Sequence, residues 1–379
     1  MKKTFAFLSF FILMLGVASA QEIANFRATG ERVVSPEITG DSVTFRLDAN
    51  YATQVMLSGN WMEGNGASVP MNKGRNGIWE VKVEIPEDEI FTYNFIVDGV
   101  SVNDPQNYMV QRDGTRYLNM LFMPGERSEN YNESSQRGTV SYVWYDSKIL
   151  GINRRMAVYL PYGYDNPKNK NVKYPVLYLL HGGGGDEEAW LSMGRAAQIM
   201  DNLIEKGEAV PMIVVMPNGN AGQQAATTLG LPTSTFANGV QDAYVKSLVT
   251  EIVPYIESHF RAIAKPSSRA ISGLSMGGGH TNVATINYPG VFQYICPLSS
   301  GMSDSDHIDA DLQGIKKAGY KLYWIGVGLN DSFAISNSKV LDEALTRNGM
   351  DHTLYISTGG HEWKNWRLYL NTFAKLLFK

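Results

Sequence analysis

One cysteine, Cys296, is present in 379 residues, so an internal disulfide is excluded. Its setting in the apolar run "YICPLSS" reads as a small buried hydrophobe. Charge of one sign is equally scarce: 33 Lys and Arg against 37 Asp and Glu leave a formal net charge of -4. That balance lacks the basic footprint of a nucleic-acid partner. Only the first segment is long and apolar, and no later stretch can span a bilayer. There is no internal repeat. The glycine run at 182–185 is not followed by the Lys-Ser or Lys-Thr pair of a phosphate loop. Around His307, "SDSDHIDAD" lacks the central glycine of a calcium loop and reads as a solvated loop, so no metal and no cofactor is implied.

The opening "MKKTFAFLSFFILMLGVASA" runs from two lysines through an apolar stretch to Ala18-Ser19-Ala20. This is the pattern of a secretory signal peptide (1–20) cleaved after Ala20, which makes the mature protein secreted or periplasmic and free of the membrane.

Two characters follow. From 21 to 123, short alternating segments such as "SVTFRL", "QVMLSG", "GIWEVKVEI", "FTYNFIVDG" and "RYLNMLF" are broken by turn residues, which predicts a small β-sandwich. Residues 124–138, "PGERSENYNESSQRG", lose apolar content and read as a solvated linker. From 139 to 379, apolar runs alternate with helical patterns: "MAVYLP", "PVLYLLHG", "MIVVMPN", "AISGLS", "YICPLSS", "KLYWIGVG" and "HTLYIS" as strands. Helices are expected over Val245–Ile256 and over "SKVLDEALTRNG", ended by Gly349. Strand–helix alternation predicts a mostly parallel α/β sheet covered on both faces.

Within that sheet, "AISGLSMGGGH" contains Gly273-Leu274-Ser275-Met276-Gly277, a G-x-S-x-G between a strand and a helix. A turn this tight presents Ser275, and side chains at the flanking positions would collide with the neighbouring strand and helix. A serine hydroxyl needs a base to take its proton and a carboxylate to orient that base. Asp331 in "GLNDSF" and His361 in "STGGHEW" each follow a strand, in the chain order this arrangement uses. Ser275 is read as nucleophile, His361 as general base and then acid, and Asp331 as the group that fixes the imidazole. His259, His280 and His352 read as structural. The oxyanion is expected to meet the backbone amides of Gly183, in "LLHGGGGDEEAW", and Met276. His181 is expected to brace that glycine loop.

The segment from about 138 to 379 resembles the esterase D-like family, specifically the secreted feruloyl and acetylxylan esterases of carbohydrate esterase family one. "YDSKILGINRRMAVYLPYGYD", "YPVLYLLHGGGGDEEAW", "GLSMGG", "GLNDSF" and "GGHEWKNW" carry the resemblance. It implies an α/β-hydrolase fold and a serine carboxylic-ester hydrolase acting through an acyl-enzyme on Ser275. Its family triad falls on Ser275, Asp331 and His361. The implied substrate is ferulate on plant cell-wall xylan or arabinoxylan, or a feruloylated oligosaccharide. An acetylxylan esterase is the alternative, followed by a siderophore esterase, a mycolyl-type acyltransferase and an inactive carbohydrate-binding protein. "LSGNWMEG", "GIWEVKVEI", "YNFIVDGV" and "NDPQN" resemble the immunoglobulin-like glycogen-binding and isoamylase-type modules. Exposed aromatics stack on sugars, and Trp61, on an expected loop, is the sugar-binding candidate; the alternative is a module that only packs on the esterase domain or shapes its cleft. Trp79 is expected in the core and Lys73 on a solvated turn.

Overall fold

The structure, a computed structural model, describes residues 33–379 except 63, 65, 86 and 230–239. The expected signal peptide therefore lies outside the described residues. Among the described residues, ten strands build the first domain: β1 (Glu37–Thr39), β2 (Ser42–Asp48), β3 (Val55–Gly59), β4 (Val69–Pro70), β5 (Asn72–Lys73), β6 (Ile78–Glu84), β7 (Ile90–Val97), β8 (Val100–Val102), β9 (Val110–Asp113) and β10 (Arg116–Phe122). They form two antiparallel sheets, β1-β2-β6-β5 and β4-β3-β7-β10-β9, with β8 on β7. Alternation decides what is inside. Val43, Phe45 and Leu47 of β2 face Phe91, Tyr93 and Phe95 of β7 in one apolar core, while their sequence neighbours point outward.

The second domain is one eight-stranded sheet in the order β11-β12-β14-β13-β15-β16-β17-β18. Its strands are β11 (Thr139–Ser147), β12 (Ile152–Leu160), β13 (Val176–Leu180), β14 (Ile213–Pro217), β15 (Arg269–Leu274), β16 (Tyr294–Leu298), β17 (Leu322–Gly328) and β18 (Thr353–Ser357). β12 runs antiparallel to both neighbours, and every pairing from β14 through β18 is parallel. The helices are α1 (Ala189–Ser192), α2 (Ala196–Glu205), α3 (Val240–Ser247), α4 (Val253–His259), α5 (Met276–Asn287), α6 (Ile308–Ala318), α7 (Ile335–Arg347) and α8 (Trp363–Phe373). α2 and α8 cover one face and α3, α4 and α5 the other, so the central strands β13, β14 and β16 are buried along their whole length. That is why they read as unbroken apolar runs. This is an α/β-hydrolase fold preceded by an all-β sandwich.

Three expectations need correction. Thr139–Ser147 forms an edge strand that the runs quoted above do not include. The helix expected over Val245–Ile256 is interrupted by a wider π turn at Leu248–Ile252. Pro254, in the first turn of α4, has no N–H to give to a regular ladder, which accounts for the wider turn before it. The expected solvated linker is exposed over most of its length but anchored at a few residues. Tyr131 is fully buried and its carbonyl accepts Arg195, while Asn130 bonds Asn371 at 2.8 Å. Ser134 and Ser135 both bond Glu205.

Candidate active site

The strand order reverses at β13, with β14 on one side and β15 on the other, and open α/β sheets bind ligands in the crevice at such a point. The glycine loop leaves β13 there and Ser275 leaves β15. Ser275 sits at φ +53°, ψ -114°, a left-handed turn that an ordinary side chain rarely adopts. A Cβ at Gly273 would meet the backbone of Gly277, and one at Gly277 would meet the His181 carbonyl and Leu180. These two glycines therefore allow β15 and α5 to approach closely enough to force the turn. The Ser275 N–H donates to the Leu298 carbonyl at 2.9 Å, which ties the elbow to β16. Met276 is the first residue of α5, so its N–H has no partner within the helix.

Asp331 follows β17 and is fully buried. Its Oδ1 accepts the N–H groups of Phe333 and Ala334 at 3.2 and 3.1 Å. Its carboxylate lies 2.9 Å (Oδ2) and 3.1 Å (Oδ1) from His361 Nδ1. Burial alone would raise its pKa, but hydrogen bonds from His361 and Ser299 outweigh burial and hold it below its ordinary value, so it stays ionised. The His361 ring is edge-on to Trp366 at 5.1 Å and rests near Phe333 at 5.3 Å. Trp366 is itself pinned by its indole N–H to Ser299 Oγ at 2.9 Å. With Nδ1 committed to Asp331, Nε2 is the nitrogen left for chemistry.

Ser275 and His361 line one cavity of about 450 Å³, together with Gly182, Gly183 and Gly185. His181 braces the glycine loop from behind. Its Nε2 accepts the Gly219 N–H at 2.7 Å, so Nδ1 carries the proton and donates to the Gly182 carbonyl at 2.8 Å. Burial lowers its pKa and keeps it neutral in that role. Of the other histidines, His352 bonds Asp342, His259 stacks on Tyr255, and His280 is buried against Tyr244 with neither ring nitrogen hydrogen-bonded. Among the described residues no three His, Cys, Asp or Glu side chains converge as a metal site. Asp309, near His307, pairs instead with Arg347.

The first domain supplies a wall of this cavity. Arg112 on β9 makes two 2.7 Å hydrogen bonds to Asp186, the residue that follows the glycine run. Gly114, in the turn after β9, lies against the Gly184 carbonyl. A second buried pair joins Glu89 to Arg367 of α8 at 3.0 Å, and the Arg367 guanidinium also donates to the Met193 and Ile90 carbonyls. The "RDGT" turn and the acidic run at 186–188 are visible in sequence, but nothing there says that they meet.

Trp61 is not the exposed platform expected of it. Its ring stacks on Phe45 at 5.9 Å and meets Phe91 edge-on, so that face is already filled by the sandwich core. Trp79 is in the core with its N–H on the Ala49 carbonyl. Lys73 reaches back from β5 to the Asn50 carbonyl and lies over Trp79 at 5.4 Å.

A serine on a strained elbow, a histidine held by a buried carboxylate and a glycine loop at the switch point place the chain in the α/β-hydrolase class. It belongs to the Esterase family, whose model matches residues 147–376. Carbohydrate-binding module 48, the isoamylase N-terminal domain, matches residues 32–111. An endo-1,4-β-xylanase/feruloyl esterase of Xylanibacter ruminicola is 33% identical over 342 residues, covering 88% of this chain. The chain spans less than half, 44%, of that relative's length. A ferulic acid esterase structure from Anaeromyces mucronatus superposes with a TM-score of 0.55 at 26% identity, over 66% of this chain and 95% of that one. The enterobactin esterase of Shigella flexneri shares the fold of both domains, with a TM-score of 0.65 at 13% identity, over 89% of this chain and 92% of that one.

Proposed function

We propose that the chain is a serine esterase that removes ferulate, a hydroxycinnamate, from the sugar hydroxyls of plant xylan or arabinoxylan. Carrying this reading is the hydrogen bond from His361 to buried Asp331 beside an elbow serine that opens into the same cavity. Similarity to feruloyl esterases in sequence and in structure supports the acyl group.

Ser275 Oγ attacks the ester carbonyl while His361 Nε2 takes its proton. The carbonyl oxygen gains the negative charge and is met by the amides of Gly183 and Met276, reinforced by the positive end of α5. As the tetrahedral species collapses, the C–O bond to the sugar breaks and the imidazolium returns the proton to the departing alkoxide. Asp331 stabilises the imidazolium without taking the proton. Water, deprotonated by His361, then attacks the acyl-enzyme, and collapse releases ferulic acid and restores Ser275–OH. The first twenty residues export the protein and are removed after Ala20, which intact mass of protein recovered from the producing cell would show.

The acyl group is tested by measuring ferulate release from feruloylated arabinoxylan and acetate release from acetylated xylan in parallel. Ferulate release supports the proposal. Acetate release alone would transfer the same chemistry to the acetylxylan esterases.

A further inference from the structure

We propose that Arg154, on β12, is a positioning residue of the oxyanion hole, acting through the loop after β14 and through His181 on the peptide that carries the Gly183 N–H; this rests on the ester-hydrolase reading above. Side chains alternate along β12. Met156, Val158 and Leu160 enter the core covered by α3 and α4, and Arg154 lies on their side of the strand. The register of β12 on β14 sets Met156 against Pro217, the last residue of β14, which carries Arg154 past that strand to the level of residues 218–220. There Arg154 is fully buried, and its Nη2 donates to the Asn218 carbonyl and, at 2.9 Å, to the Asn220 carbonyl.

Residues 218–220 in turn hold the glycine loop at two points. The Gly219 N–H donates to His181 Nε2 and the Asn220 side-chain amide to the Gly185 carbonyl, both at 2.7 Å. His181 Nδ1 donates to the Gly182 carbonyl at 2.8 Å, beside a turn bond to the same oxygen from the Gly185 N–H at 3.1 Å. The Gly182 carbonyl and the Gly183 N–H belong to one planar trans peptide and point in opposite directions. Fixing that carbonyl on His181 therefore fixes the direction of the Gly183 N–H. The peptide stands beside the nucleophile: a Cβ built on Gly182 would lie 3.3 Å from that of Ser275, and Gly183 lines the Ser275 cavity. Gly219 also reaches the residue that carries the other donor, since a Cβ there would lie 3.3 Å from Met276 Cε and 3.4 Å from His181 Nε2.

The charge of Arg154 is what makes the loop rigid. Arg155, next along β12, pairs with Glu187 and Glu188, whereas Arg154 has no carboxylate partner among the described residues. Its guanidinium meets the two carbonyls and the Tyr244 ring at 5.7 Å. Turning either carbonyl away would leave a buried cation less solvated, so the cation orders the backbone that presents them. Nε and Nη1 make no hydrogen bond, so the whole grip on residues 218–220 passes through Nη2.

Arg154→Met and Arg154→Lys test this with methyl ferulate and with an aryl trifluoromethyl ketone. Ser275 Oγ adds to the ketone carbon as its proton passes to His361, and the ketone oxygen becomes an oxyanion in the same hole. In Arg154→Met, kcat is expected to fall about tenfold with KM moved by less than about twofold, and the ketone to bind about tenfold more weakly. Arg154→Lys should recover part of both. A folded Arg154→Met chain that keeps kcat and ketone affinity, whatever its loss in Tm, would overturn the proposal. If Arg154→Met does not fold, His181→Asn and His181→Gln decide. The asparagine amide can replace Nδ1 as donor to Gly182, and the glutamine carbonyl can replace Nε2 as acceptor from Gly219. Higher kcat and ketone affinity in His181→Asn support the role of the Gly182 peptide, and equal or higher values in His181→Gln overturn it. Fluorine NMR of the ketone separates the two failures. An unaltered chain that turns over no ester and forms no adduct removes the ester-hydrolase reading and this proposal together. A working chain matched by its variants removes this proposal alone.

Discussion

Arg112 of the first domain grips Asp186 of the second through two parallel 2.7 Å hydrogen bonds, and both side chains are buried. Because Asp186 directly follows the glycine loop, the sandwich holds the loop expected to supply an oxyanion donor. Breaking a buried pair leaves an uncompensated charge and costs about 3 kcal/mol or more. Arg112→Ala should therefore lower stability by about that amount and reduce kcat by about tenfold or more through the displaced Gly183 amide. Arg112→Lys keeps the charge without the fork and should recover part of kcat. Urea titration with steady-state kinetics checks both, and unchanged kcat in Arg112→Ala would separate the first domain from the chemistry.

Asp331→Asn tests the orienting carboxylate. The amide can donate to His361 Nδ1 and trap the tautomer with its proton on Nε2, so kcat should fall by about three to four orders of magnitude with the fold intact. Circular dichroism and kcat measured together check this.

Gly277→Ala places a methyl against the His181 carbonyl and Leu180, neither of which is the far end of a flexible side chain. Overpacking of this kind should cost about 1–3 kcal/mol and shift the elbow, lowering both Tm and kcat.

Acid should destabilise the protein through His280. Burial, followed by the nearby His181, lowers its pKa to about 3 in the folded chain, whereas an unfolded histidine protonates near pH 6.5. Between those values the unfolded chain binds the extra proton, so stability falls as pH drops through that window. His280→Leu should remove about 2 kcal/mol of the loss between pH 6.5 and 5, read from urea midpoints at the two pH values.

How much of this was legible depended on whether the signal was local. Continuous apolar runs announced β13, β14 and β16 because helices cover both sheet faces there. Ser275 was legible because two glycines and a strand-to-helix change occupy eleven residues. Asp331 and His361 followed from strand ends in the expected order. Arg112 and Asp186 stand 74 residues apart, and no local pattern records that they meet. Trp61 lies in the turn after β3, as an aromatic beside glycines suggests, but only the neighbouring strands show its ring stacked on Phe45. The segment 124–138 has a solvated composition, yet Tyr131 anchors it in the core.

The central claim is that Ser275 is the nucleophile, and turnover of methyl ferulate by the purified chain beside Ser275→Ala tests it most directly. The account predicts a loss of about four orders of magnitude or more in kcat, with an unchanged circular dichroism spectrum. Turnover by Ser275→Ala at the rate of the unaltered chain would contradict it.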